Sequence, residues 1–171
     1  EHPPGFRWVH ESFGTNWRLT EMQSAIGRIQ LGRMPEWSAR RRANADAITK
    51  VCESYTFLRV PKVSTGIEHA FYKFYAFVVP EALPEDWSRD RIIDELVNAG
   101  VPCMQGSCSE VYLERAFDGH PSRPSTVLPV AKALGESSLM FMVHPTINSD
   151  QLALYCEAIG QVLSEIDQLA S

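Results

Sequence analysis

The chain has 171 residues, a formal net charge of −5 and hydrophobic residues at 44% of its positions. Its length suits about one domain on the usual scale of ~100–200 residues per domain, and its hydrophobicity excludes intrinsically disordered chains, which combine few apolar residues with a high net charge. The net negative charge differs from the basic surface that is typical of nucleic-acid-binding proteins. No run of apolar residues approaches the ~18 residues of a membrane-spanning helix. We therefore expect a globular domain that binds neither nucleic acid nor a membrane.

The first nineteen residues predict a loop, because their Pro, Gly, Asn and aromatic residues show no period. After them, Thr20 and Gln23 have the spacing of a capping box at the start of a helix. Pro35 is unfavourable inside a helix, so the pattern predicts two helices, one ending near residue 34 and one over 36–54.

The loop before these helices is rich in side chains suited to contact with another surface. Nothing nearby in the sequence would bury these side chains, which are Phe6, Trp8, His10, Phe13, Asn16, Trp17 and Arg18. We expect residues 1–54 to form a loop and a two-helix connector, and residues 55–171 to form a small α/β domain.

Beyond residue 55 the pattern predicts short strands that alternate with helices. The segment 69–79 (HAFYKFYAFVV) is the strongest strand, and the apolar residues on both of its faces indicate cover on both sides. Shorter strands are predicted at 58–60, 101–104 and 138–143. A small, mostly antiparallel sheet packed against helices follows from this order.

Helix signals separate these strands. Ser88 is a typical N-cap, and Gly100 a typical stop, for a helix between them. A short helix is predicted at 130–134, and a last helix starts at Asn148 or Ser149. The remaining stretch, 105–127, is irregular, and long irregular stretches in compact domains are often functional.

The four cysteines, at positions 52, 103, 108 and 156, show neither a CxxC pair nor a zinc-like spacing with His. No metal site is predicted, and buried free thiols are the simplest interpretation of the cysteines on helices. Such thiols favour a cytoplasmic location. The sequence also lacks phosphate-loop, serine-hydrolase and zinc-protease motifs, so composition and spacing alone lead no further than an α/β domain.

A resemblance leads further. Residues 14–27 (GTNWRLTEMQSAIG) resemble the signature of the DegT/DnrJ/EryC1/StrS aminotransferases, which are fold-type-I, pyridoxal-phosphate-dependent sugar aminotransferases. The resemblance then runs in order through almost the whole chain, at Gln30-Leu31, Arg41 with Ala43, Tyr72 to Phe77, Leu96 with Gly100-Val101, and His144-Pro145. It implies the small C-terminal domain of such an enzyme.

The resemblance also implies that the chain lacks the Schiff-base lysine, because the family carries this residue in a large domain that comes first. The lysines of this chain stand in none of the family's lysine contexts; they are Lys50, Lys62, Lys73 and Lys132. No catalytic residue is therefore assigned, and we expect the isolated chain to be inactive.

Two residues of the G-x-N-x-R motif have implied roles in binding pyridoxal 5'-phosphate. In the family, the Asn (Asn16 here) reaches across a homodimer interface to the cofactor phosphate of the other subunit. The Arg (Arg18 here) lies in the same intersubunit site. The chemistry agrees, because an amide donates to phosphate oxygens and a guanidinium binds anions through two donors. The alternative is that Asn16 shapes a turn and Arg18 pairs locally.

A second implied site is the stretch 106–112 (GSCSEVY), where many family members carry a histidine that points at the active site. Tyr112 falls at that position here, and tyrosine is a poor base near neutral pH. The resemblance implies that Ser107, Ser109 and Glu110 contact sugar hydroxyls while Tyr112 lines the substrate entrance. The alternatives are capping of the loop, and packing of Tyr112 between the sheet and the last helix.

The implied function is transfer of an amino group, usually from glutamate, to a keto nucleotide-sugar in polysaccharide or antibiotic-sugar synthesis. Two alternatives stay open. One is a pyridoxal-phosphate-dependent sugar dehydratase of the same fold, in which the Schiff-base lysine is replaced. The other is a free-standing, non-catalytic module that binds a partner through the aromatic loop at 6–18.

Overall fold

The computed structural model describes residues 10–170, which form four α-helices and one four-stranded sheet. The helices are α1 (Glu21–Cys52), α2 (Arg89–Asn98), α3 (Pro129–Ser137) and α4 (Ser149–Ala170). The strands are β1 (Leu58–Arg59), β2 (Phe74–Val78), β3 (Cys103–Met104) and β4 (Ser138–Phe141). In this part of the chain, no helix is both long and apolar enough to cross a membrane.

The sheet has the order β1-β2-β4-β3, and every neighbouring pair is antiparallel. In the register of the two central strands, Phe74 lies opposite Phe141 and Phe77 lies opposite Ser138. The predicted small antiparallel sheet packed against helices is therefore confirmed.

One face of the sheet carries the core. Alternate residues of β2 are buried (Phe74, Ala76 and Val78), and apolar residues from three helices pack with them in one cluster. The helical members are Ala45, Ile48 and Cys52 from α1, Ile92 and Leu96 from α2, and Ile159, Val162, Leu163 and Ile166 from α4. The helices thus cover this face, while on the opposite face Tyr75 and Phe77 remain half-buried.

Helix α1 corrects the prediction of a two-helix connector, because residues 21–52 form one continuous helix that includes Pro35. A proline inside a helix removes the hydrogen bond to the carbonyl four residues earlier. Both Pro35 and Leu31 are exposed, so solvent can hydrate that carbonyl. The predicted start is confirmed, since Thr20 and Gln23 form the full capping box.

Strand β2 is shorter than the predicted strand at 69–79. Phe71 has a φ of 43°, which lies in the left-handed region that bulky residues rarely adopt. The turn at this point ends the extended run, so that pairing begins only at Phe74.

The other helix starts agree with the sequence pattern. Ser88 accepts a hydrogen bond from the Arg91 amide at 3.2 Å, and Asn148 and Gln151 bond each other's backbone amides at 2.9 and 3.0 Å. The boundary predicted at residue 54 stays a prediction, and the last turns of α1 contribute to the same core as the rest of the chain.

Candidate functional site

The predicted site residues lie on two segments that the fold brings together. We call residues 10–20, which precede α1, the N-terminal segment, and residues 105–118, which follow β3, the site loop. The site loop contains two short 3₁₀ turns, Val111–Leu113 and Arg115–Phe117. Phe6 and Trp8, which were predicted as contact residues, lie outside the described residues.

The two segments meet at His10. The backbone amide of His10 donates to Oε2 of Glu114 at 2.8 Å, and the carbonyl of His10 accepts a hydrogen bond from the Ala116 amide at 3.1 Å. The Glu114 side chain is only 1% exposed. A contact between residues 104 positions apart in the sequence therefore holds the start of the N-terminal segment against the site loop.

Further contacts flank this junction. Arg115 and Glu11 form an exposed ion pair at 3.1 Å. The ring of Phe13 meets Phe117 edge-on, with the centroids 5.0 Å apart, and His120 at 5.3 Å. The N-terminal segment thus follows the site loop over several residues.

The site loop begins at a tightly packed glycine. Gly106 has a φ of +94°, and a Cβ at this position would lie 2.8 Å from Cε1 of Tyr75. Beside it, the Ser138 hydroxyl donates to the carbonyl of Gln105. The first turn of the loop is therefore held directly on the half-buried face of the sheet.

The predicted sugar-contact serines have different surroundings. Ser107 is exposed, and its hydroxyl lies 3.4 Å from the phenol oxygen of Tyr75. The hydroxyl oxygen of Ser109 is buried and has no hydrogen-bond partner within the described residues. An unsatisfied buried hydroxyl is costly, which makes Ser109 a suitable residue to meet a polar group of a ligand.

Tyr112 is buried and its phenol makes two hydrogen bonds. It donates to Oε1 of Glu110 at 3.0 Å and accepts from the Leu128 amide at 2.9 Å. Desolvation, and next the Glu110 carboxylate, raise the pKa of the phenol, although the Leu128 amide acts in the opposite direction. Tyr112 therefore organises the site loop, and its contact with a substrate stays a prediction, as does that of Glu110.

Asn16 and Arg18 are exposed, and Trp17 between them is 85% exposed. Their exposure leaves the amide and the guanidinium accessible to a molecule outside this chain. Their predicted contacts with a cofactor stay a prediction.

Glu114 is the residue that sequence reasoning missed. It stands in an irregular stretch without a period, where a glutamate is expected to be exposed. It is buried where the site loop meets the distant N-terminal segment. Among residues 10–170, no group of three or more His, Cys, Asp or Glu side chains could hold a metal ion.

Comparisons with known proteins find transaminases and aminotransferases among the relatives of this chain. The chain is 24% identical over 162 residues to the dTDP-3-amino-3,4,6-trideoxy-alpha-D-glucose transaminase of Streptomyces venezuelae, which covers 95% of this chain and 40% of the relative. The crystal structure of an aminotransferase from Psychrobacter cryohalolentis is 52% identical, with a TM-score of 0.82 over 98% of this chain and 44% of that one.

An E. coli GDP-4-keto-6-deoxy-D-mannose-3-dehydratase with bound hydrated PLP shares the fold at 20% identity, with a TM-score of 0.69 over 85% of this chain and 37% of that one. The chain thus spans about two fifths of the length of these proteins. This coverage agrees with the expectation that the chain corresponds to one part of such an enzyme.

The model of the DegT/DnrJ/EryC1/StrS aminotransferase family matches residues 3–160, and this match includes the N-terminal segment, the sheet and the site loop. The resemblance seen in the sequence is confirmed, and the chain belongs to the DegT/DnrJ/EryC1/StrS aminotransferase family.

Proposed function

We propose that this chain is the small domain of a pyridoxal-phosphate-dependent aminotransferase that transfers an amino group, from glutamate, to a keto nucleotide-sugar. The observation that carries the proposal is the contact at His10, which joins the chain four residues before the G-x-N-x-R motif to the site loop in a member of this family. The proposal assigns cofactor binding to the first segment and sugar binding to the second.

The donor chemistry of the N-terminal segment fits the phosphate group of pyridoxal 5'-phosphate. Asn16 offers amide N–H donors and Arg18 a charged guanidinium, and both side chains are exposed. We assign Asn16 to the phosphate of a cofactor bound in the other subunit of a homodimer, with Arg18 beside it. When bound, the cofactor supplies the electron sink for amino transfer, and this chain contributes the groups that orient it.

The site loop supplies the polar groups for the sugar. Ser107 is exposed, so its hydroxyl can bond a sugar hydroxyl. We assign Ser109 as well, because its buried hydroxyl has no hydrogen-bond partner in the described part of the chain. Glu110 can accept from a hydroxyl while it still holds the phenol of Tyr112. The proposal includes a cytoplasmic location and a product that enters polysaccharide or antibiotic-sugar synthesis.

The cofactor assignment is tested by Asn16→Ala in the full-length dimer. Loss of a hydrogen bond to a charged group costs roughly 1.5–3 kcal/mol, which weakens binding about ten- to a hundredfold. We expect the dissociation constant of pyridoxal phosphate, measured by fluorescence titration, to rise by that factor. Asn98→Ala, which removes an exposed amide at the end of α2, is the control. An unchanged dissociation constant in Asn16→Ala would refute the assignment.

The role of Tyr112 is tested by Tyr112→Phe in the same enzyme, with the two half-reactions measured separately. The change removes the hydrogen bond to the Leu128 amide, worth on the order of 0.5–1.5 kcal/mol, and the one to the Glu110 carboxylate, worth on the order of 1.5–3 kcal/mol. We expect a slower sugar half-reaction and an unaffected glutamate half-reaction. If both half-reactions of the variant kept the unmodified rates, Tyr112 would have no role in the site.

The isolated chain offers a separate test of the missing lysine. Pyridoxal phosphate added to it should leave no borohydride-reducible adduct on a single stoichiometric lysine. Such an adduct would contradict both the absence of the Schiff-base residue and the expected inactivity of the chain alone.

A sugar dehydratase is the second candidate, and the shared fold with the E. coli dehydratase favours it. The full-length protein decides between the two, because a transaminase yields an amino sugar whereas a dehydratase yields a deoxygenated one. Mass spectrometry of the product from a keto nucleotide-sugar and glutamate separates them. No product of either kind would favour a non-catalytic interaction module.

A further inference from the structure

We propose that Glu114 is a positioning residue, which holds the N-terminal segment and the site loop in one arrangement. Asn16 and the sugar-contacting serines thereby keep a fixed position relative to each other. The coupling itself stands on contacts within this chain. Its consequence for cofactor and sugar binding rests on the proposed function.

The Glu114 carboxylate receives donors from both segments. Oε2 accepts the His10 backbone amide at 2.8 Å and lies 3.4 Å from Nδ1 of the same residue. Oε1 accepts the thiol of Cys108, which belongs to the site loop, at 3.5 Å. A single side chain therefore joins the N-terminal segment to the loop residues that flank Ser109.

Burial makes this junction specific. Glu114 is 1% exposed, and a buried carboxylate is costly unless hydrogen bonds compensate for lost hydration. Departure of the N-terminal segment would take the His10 amide away from this buried oxygen. Because a buried polar group that loses a hydrogen bond is costly, the joined arrangement is preferred.

The backbone reinforces the side chain. The His10 amide is held by Glu114, and the His10 carbonyl accepts the Ala116 amide at 3.1 Å. Both backbone groups of His10 are therefore bonded at the second 3₁₀ turn, the N–H by its N-cap residue Glu114 and the C=O by Ala116 within it. These two hydrogen bonds fix the position of the His10 backbone and the direction in which the segment leaves the site loop.

A second anchor lies at the other end of the segment. Thr20 forms the capping box of α1 with Gln23, so the chain from residue 10 to residue 20 is tied at both ends. Asn16 lies between these anchors. Release of His10 would leave the start of the segment held to the rest of the chain by the exposed Glu11–Arg115 pair and the ring contacts of Phe13, which enlarges the range of positions that the Asn16 amide can occupy.

The test uses the full-length holoenzyme and three variants. Glu114→Ala removes the acceptor, Glu114→Gln retains a carbonyl oxygen for the His10 amide, and Arg115→Ala removes the exposed ion pair with Glu11 as the matched control. Exposed ion pairs contribute little to stability. Hydrogen exchange by mass spectrometry, with overlapping peptides that resolve the His10 and Ala116 amides, follows the junction, and β2 and β4 are the internal references.

We expect Glu114→Ala to raise the exchange rate of the His10 and Ala116 amides by about tenfold or more, while β2 and β4 stay protected. Glu114→Gln should recover most of the protection, and Arg115→Ala should change it less than about twofold. The same Glu114→Ala enzyme should bind pyridoxal phosphate more weakly and show a higher KM for the nucleotide-sugar, with rescue of both by Glu114→Gln.

Unchanged exchange at the His10 and Ala116 amides in a folded Glu114→Ala variant would overturn the proposal. So would an equal rise at these amides, β2 and β4, because it would mean a general loss of stability. Failure of the proposed function is distinguishable. If Asn16→Ala left cofactor binding unchanged while Glu114→Ala still raised exchange at the His10 and Ala116 amides, the coupling would stand and the assigned role of the segment would fall.

Discussion

Cys52 and Cys103 lie in the core, where desolvation raises the pKa of both thiols from 9.0 to about 12. Burial disfavours the charged thiolate, and for Cys52 the neighbouring cysteines Cys103 and Cys156 act in the same direction. The thiolate is the reactive form of cysteine, so both residues serve as packing groups. The sequence-based interpretation of Cys52 as a buried free thiol agrees with this position.

These raised pKa values predict a loss of stability in alkali. Above pH 9 the thiols of the unfolded chain lose their protons while those of the folded chain keep them, so the unfolded state binds fewer protons and is favoured as the pH rises. The free energy of unfolding should fall between pH 9 and about 12, with a slope approaching about 1.4 kcal/mol per pH unit for each thiol.

Urea unfolding at pH 7, 9 and 10.5 measures this slope. The variant Cys52→Ala/Cys103→Ala should be less stable at pH 7 and should show a flatter decline above pH 9. An equally steep decline in this variant would assign the effect to other groups.

At the scale of elements, the site loop depends on the way its first turn sits on β2. Gly106 and Gly66 form a matched pair, because their φ values are +94° and +87°. A Cβ at Gly106 would meet Tyr75 at 2.8 Å and Ser138 at 3.2 Å, whereas a Cβ at Gly66 would meet nothing within 4 Å. The pair separates backbone strain from crowding.

We expect Gly66→Ala to cost about 1 kcal/mol of unfolding free energy, which is the penalty of a left-handed backbone for an L-residue. Gly106→Ala should cost roughly 1–3 kcal/mol more, because the Tyr75 ring or the loop must move. Urea unfolding of both variants gives the difference. Equal losses of unfolding free energy in the two variants would mean that the Tyr75 ring moves aside at no cost and does not hold the loop.

At the scale of the whole molecule, the first half of α1 is an apolar surface without cover from the described part of the chain. Met22, Ile26 and Ile29 follow a helical spacing and are all more than half exposed, as are Trp17 and Leu19 nearby. Exposed apolar patches of this kind mark interaction surfaces. The aromatic N-terminal segment and this stripe together form the surface with which we expect a partner domain or subunit to pack.

We therefore expect this chain by itself to associate with increasing concentration, as measured by sedimentation velocity. Ile26→Lys/Ile29→Glu should reduce the association, because charged groups are costly to bury in an apolar interface. Leu169→Lys, at the exposed end of α4, should leave it unchanged. A monodisperse monomer in which Trp17 fluoresces as a buried residue would contradict the prediction.

Local features of the fold were predictable from the sequence, because the groups that decide them are close along the chain. The capping box of Thr20 and Gln23, the Ser88 cap and the strand periodicity of β2 each depend on residues within a few positions. The family signature at residues 14–27 is equally local. These signals led correctly to the fold class and the family.

Long-range packing decided the rest. The sequence alone determined the capped starts of α1, α2 and α4, the class of the fold and the family to which the chain belongs. Only the tertiary structure decided that α1 continues through Pro35, that Phe71 ends the extended run before β2, and that Glu114 is buried against His10. The physical reason is that each of these outcomes depends on solvent exposure or on partners distant along the chain, and no local pattern encodes them.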